Sequence, residues 1–104
     1  MSRVAMNDDA GFAPPPFKPD EALQRLKREL RELGLSEREG VFEQRGLAIA
    51  RAQVAGAQLV AALVRRPSRS SPQWQPRSLA SSAALRDFIG EVKRALQQWR
   101  DRDD

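Results

Sequence analysis

The feature that most constrains this chain lies near its C-terminal end. Between residues 83 and 100, Leu85, Phe88, Ile89, Val92, Leu96 and Trp99 recur at spacings of 3, 1, 3, 4 and 3. That is the period of one helical face. Arg86, Asp87, Lys93, Arg94, Gln97 and Gln98 occupy the other sides. Such a helix gains little from propensity alone and has to bury its stripe against another element. Ser81 or Ser82 offers the N-cap hydroxyl. A second stripe lies at 20–33, where Leu23, Leu26, Leu30 and Leu33 follow a 3-4-3 spacing. Pro19 or Asp20 suits the start of this helix, and Asp20 and Glu21 favour the positive end of its dipole. Gly34 is placed as its C-terminal cap, with Leu35 positioned to fold back on the stripe.

The segment between the helices must supply the surface that both stripes bury. Ser36-Glu37-Arg38-Glu39 has capping-box spacing, but Gly40 follows at once, so it reads as a single turn. Residues 41–66 fit two periods. As strands, Val41 to Arg45 continues through a bend at Gly46 into Leu47 to Val54. Ala55-Gly56-Ala57 turns the chain, and Gln58 to Arg66 returns it. Leu59, Ala61 and Leu63 then face one way, and Val60, Ala62 and Val64 the other. As a helix, Leu47, Ala50, Val54, Ala57, Ala61 and Val64 also line up.

Two arguments favour strands. Gly46 and Gly56 would each cost about 1 kcal/mol inside a helix. Gln73 to Ala80, kept extended by Pro72 and Pro76, also needs a strand to pair with. Pro76 makes that third strand an edge or a bulged one. Pro67 to Pro72 is a loop by composition. The expected fold is α+β, an α-β-β-β-α two-layer sandwich. Its three-stranded antiparallel sheet would carry both helices on one face.

One domain is expected over residues 19–100 of the 104-residue chain. Residues 1–18 read as a flexible, proline-containing N-terminal tail, with Pro14-Pro15-Pro16 flanked by Phe12 and Phe17. Residues 101–104 read as a charged end. No apolar run approaches the roughly 20 residues of a membrane span. The first residues lack the apolar centre of a signal peptide. A cytoplasmic location is expected, and a bacterial one from the abundance of arginine and alanine.

Composition narrows the chemistry sharply. The chain has no cysteine, no histidine and no tyrosine. Disulfides, thiolate catalysis, cysteine or histidine metal ligands and the commonest general base are therefore absent. Glycine-rich phosphate loops and nucleophile-elbow sequences are also missing. Carboxylates that are close in sequence, such as Glu37 with Glu39, fall in segments read as exposed. The expectation is a protein that is not an enzyme and holds no cofactor and no metal.

The charge is unevenly placed. Residues 41–80 hold six arginines against one glutamate, a net of +5 in a chain whose total is +4. The densest stretch runs from Arg65 to Arg77 and contains Arg65, Arg66, Arg69, Trp74 and Arg77. Arginines grip phosphates, and an exposed indole stacks on an unpaired base. The competing reading is a polar loop with Trp74 turned into the core.

The α-β-β-β-α order resembles that of double-stranded-RNA-binding domains, whose last helix opens on a lysine cluster. Here Ser81-Ser82-Ala83-Ala84-Leu85-Arg86 stands in that place with one cation, so their function is not carried over. The expected function is a small protein-interaction or adaptor module, binding another protein or a second copy of itself. The alternative is a nucleic-acid-binding module using segment 65–77. No contact with a membrane is expected.

Overall fold

A computed structural model describes residues 16–103, with side chains through residue 101. The elements run α1 (Pro19–Glu32), β1 (Ser36–Arg38), β2 (Val41–Gln44), β3 (Leu47–Ala55), β4 (Gln58–Val64), β5 (Trp74–Leu79) and α2 (Ser82–Asp103). The strands form one antiparallel sheet in the order β1-β2-β3-β4-β5, a simple meander. The protein is α+β with two helices, as the sequence predicts. Neither helix is long and apolar enough to cross a membrane. The tail assigned to residues 1–18 lies outside the described residues as far as residue 15, including Phe12, Pro14 and Pro15; Phe17 packs against the core.

Both helices end as their sequences dictate. Pro19 occupies the first turn of α1, where a missing N–H costs nothing. At its other end Gly34 takes φ +94°. The Gly34 N–H donates to the Arg31 carbonyl at 3.0 Å, and the Leu35 N–H donates to the Leu30 carbonyl at 3.1 Å. This Schellman pair satisfies two orphan carbonyls and drops Leu35 into the core. Ser81 caps α2, its Oγ accepting from the Ala84 N–H at 3.1 Å.

The sheet has five strands rather than three. Val41 to Val54 is not one bent strand. It is broken into β2 and β3 by a tight turn at Arg45 and Gly46, whose φ values are +55° and +77°. Positive φ at both central residues marks a type I′ hairpin, the turn whose twist matches that of its strands. Glu39 and Gly40, at +52° and +82°, make the same turn one hairpin earlier. Ser36 to Arg38 is therefore an added edge strand instead of a helical turn. Gly56 at +62° opens the third two-residue turn, between Ala55 and Gln58. Five strands also remove the likeness in element order to double-stranded-RNA-binding domains.

Register sorts the side chains into two faces. Phe42, Ala50, Ala52, Leu59, Ala61, Leu63 and Leu79 belong to one set. They form a single core cluster with Ala22, Leu26 and Leu30 of α1 and Leu85, Phe88, Val92 and Leu96 of α2. A bulge where β2 pairs with β3 shifts the register after Phe42. Ile49 and Ala50, although adjacent, are both buried there.

The two sheet edges are poor templates for further pairing. β1 is only three residues long, each of them exposed. Along β5, the Arg65 N–H donates to the Gln73 carbonyl at 2.9 Å. Alternation from that bond makes Ala62 and Pro76 a non-hydrogen-bonded pair. The Pro76 nitrogen therefore points outward, and the edge lacks a donor at its middle.

Candidate interaction surface

The strand positions that alternate with this core set make the second face of the sheet. Its central row crosses four strands, Val41, Arg51, Ala62 and Pro76, in direct register. Gln53, Val60 and Ser78 form the next row, and Val64 pairs with Trp74 on the far side. Ala62 and Val64 are buried, yet neither joins the cluster that includes the helices. Between Glu39, Val41, Arg51, Gln53, Val60 and Pro76 the surface dips into an open recess of about 360 Å³. Its floor is small and apolar because Ala62 sits where a larger residue would fill it. Glu39 and Arg51 are the charged residues of its lining.

Arg51 and Trp74 are held together. The Arg51 guanidinium carbon lies 4.5 Å from the centre of the indole, a cation–π contact. Trp74 is half-buried and lies outside the helix-side core, so it is not the core lid of the competing reading. It stands between Pro76 of the recess and the loop that carries Arg65, Arg66 and Arg69.

The structure separates the arginines that the sequence groups together. Arg77 pairs across the sheet with Ala61 and so belongs to the helix side. There its Nη2 and Nε donate to the Glu91 carboxylate at 2.7 and 3.2 Å, while Nη1 donates to the Pro76 carbonyl at 2.9 Å. The hydrogen bond to Glu91 raises the Arg77 pKa further above its already high ordinary value, and the carboxylate's charge adds to the effect against partial burial. This arginine ties β5 to α2, and each of its three nitrogens already donates one hydrogen bond.

Arg65, Arg66 and Arg69 are exposed on the β4–β5 connection and have no ion-pair partner among the described residues. Their loop is shaped by Ser68, whose Oγ accepts from the Ser70 and Ser71 N–H groups, each at 3.3 Å.

Sequence reasoning missed Arg51 and Glu39 as members of one surface. Arg51 lies in the same arginine-rich region but outside its densest stretch. Glu39 reads from the sequence as part of a single turn just ahead of the strand at Val41, with no partner strand before it. The signal for the recess was present in the alternation of Val60, Ala62 and Val64, which places them on one face. No protein-family model matches the chain, and no curated protein or solved structure matches it either.

Proposed function

We propose that this protein is a non-catalytic interaction module whose docking surface is the second face of the sheet. In this reading the fold is a two-layer sandwich, with both helices on one face and the recess open on the other. The observation that carries it is the recess itself. It has an apolar floor of Val60 and Ala62, flanked by Val41 and Pro76, and an aromatic–arginine pair stands at its rim. Apolar centres rimmed by polar groups are how docking surfaces are built. Both sheet edges are blunted, which favours the face over strand addition. The lack of histidine, cysteine and tyrosine supports a binding role over catalysis.

The test is quantitative affinity capture with the full chain against Val60→Arg, which fills the recess without touching the helix-side core. A partner held by the native chain and lost with Val60→Arg supports the reading. Capture that does not change between the two overturns it.

One observation favours a second reading, nucleic-acid binding: three exposed arginines without acidic partners lie beside Trp74. It predicts salt-sensitive anisotropy of labelled single strands, lost when Arg65, Arg66 and Arg69 are changed together to Gln. The same titration showing no binding at low salt removes it.

A further inference from the structure

We infer that the recess takes an acidic polypeptide segment, one that seats an apolar side chain over Val60 and Ala62 and places a carboxylate on Arg51. This rests on the docking reading above and names the chemistry of the occupant.

Arg51 is the reason for the carboxylate. It lies on the recess wall, exposed, and makes no hydrogen bond or ion pair among the described residues. Trp74 nevertheless fixes where its guanidinium sits. With no hydrogen bond of its own among the described residues, that guanidinium keeps N–H donors free, and its planar fork matches a carboxylate in a two-point grip. Pre-positioning also lowers the ordering cost of binding.

Charge complementarity extends beyond Arg51. Arg65, Arg66 and Arg69 lie on the β4–β5 connection, at the end of the sheet where Val64 pairs with Trp74. Against them stands Glu39, since Glu43 is already paired with Arg38 at 3.0 Å. A segment with further acids on the Trp74 side is drawn by this field and oriented by it.

The same residues favour a polypeptide over a nucleic acid. Single-strand binders stack successive bases on several aromatic rings. Trp74 is the one aromatic side chain on this face among the described residues. Phe42 and Phe88 are in the helix-side core, and Phe17 and Trp99 pack against it. Arg51 moreover already covers part of the Trp74 ring. What remains in the recess is an alanine-floored dip, shaped for an aliphatic or aromatic side chain.

The experiment selects a library of random dodecapeptides, displayed on phage, on the full chain. Selected peptides are then measured by anisotropy and mapped by amide chemical shifts. The expected result is enrichment of Asp or Glu next to Leu, Ile, Val, Phe or Trp. Their affinity should fall about tenfold or more in Arg51→Gln, as expected for loss of a charge-assisted hydrogen bond. Arg51→Lys should recover only part of it, because a lysine lacks the fork. Val60→Arg should abolish binding while the thermal midpoint falls by no more than a few degrees.

Peptides that map to this face but carry no acids, or that ignore Arg51→Gln, overturn the inference and leave the docking reading standing. Selected peptides that map elsewhere overturn both. Tighter binding of an oligo-dT strand than of any selected peptide assigns the face to nucleic acid. A concentration-dependent dimer lost in Val60→Arg assigns it to a second copy.

Discussion

At the scale of single residues, the most informative positions are those where an ordinary side chain adopts a conformation that suits glycine. Arg45 sits at φ +55° immediately before Gly46 at +77°. Left-handed backbone costs an L-residue about 1–2 kcal/mol, less for asparagine. Arg45→Asn is therefore expected to stabilise the protein by roughly 0.5 kcal/mol in urea denaturation. Gly46→Ala is expected to destabilise it by about 1 kcal/mol. A Cβ added at Gly46 meets nothing within 4 Å, so that loss would be a pure backbone effect. A neutral Gly46→Ala would mean that the turn is not of this type.

A second residue-scale expectation concerns Arg77 and Glu91. The pair is two-pronged but about one-third exposed on each side. Solvent screening limits its coupling to about 0.5–1 kcal/mol in a double-mutant cycle of Arg77→Gln and Glu91→Gln. A folded pKa raised above the unfolded one gives stability that is fully present below the unfolded value and is lost as pH rises from there through the raised value. The arginine side of the bridge is thus indifferent to pH from neutrality to pH values around 10, and the coupling measured at the two ends should agree.

At the scale of elements, the helices were legible and half of the sheet was not. The C-terminal stripe has a single period, and α2 at Ser82–Asp103 follows it. Leu23 to Leu33 did the same for α1. Residues 41–66 carried two periods at once because β4 is buried on both faces. A strand that is apolar on both sides loses the polar–apolar alternation that would identify it. The glycines broke the tie correctly in favour of strands. Gly56 reads as the turn it makes, but Gly40 and Gly46 hide theirs, since Glu-Gly and Arg-Gly lack the asparagine or aspartate that usually announces a type I′ hairpin.

Pro76 was legible as an edge signal, and its role can be tested. Pro76→Thr restores an outward N–H in the middle of β5 and improves strand propensity. The variant is expected to self-associate at concentrations where the native chain stays unassociated, read by light scattering. Equal behaviour of the two proteins would show that proline does not protect this edge.

At the scale of the molecule, the two faces of the sheet answer to different demands, and their substitutions should separate cleanly. Leu26 is fully buried in the cluster shared by both helices and the sheet. Leu26→Ala removes its packing and leaves a cavity, at a cost of about 2–5 kcal/mol. A domain of this size has only about 5–15 kcal/mol in total. Val60, half-buried on the recess, has room beside it, and Val60→Arg can extend its stem along the apolar floor with its head in water. Its expected cost is below about 1 kcal/mol.

Urea denaturation of the two variants checks this, with unchanged slopes showing that the same folded state is lost in each. A Val60→Arg loss as large as that of Leu26→Ala would mean that the recess is structural core, and the docking surface would have to be sought among the loop arginines instead. The same contrast explains what the sequence could not disclose. Burial against a helix leaves a periodic signature in the chain. An alanine that keeps a recess open looks the same in sequence as an alanine that fills a gap, and only the register of β3, β4 and β5 tells Ala62 from Ala61.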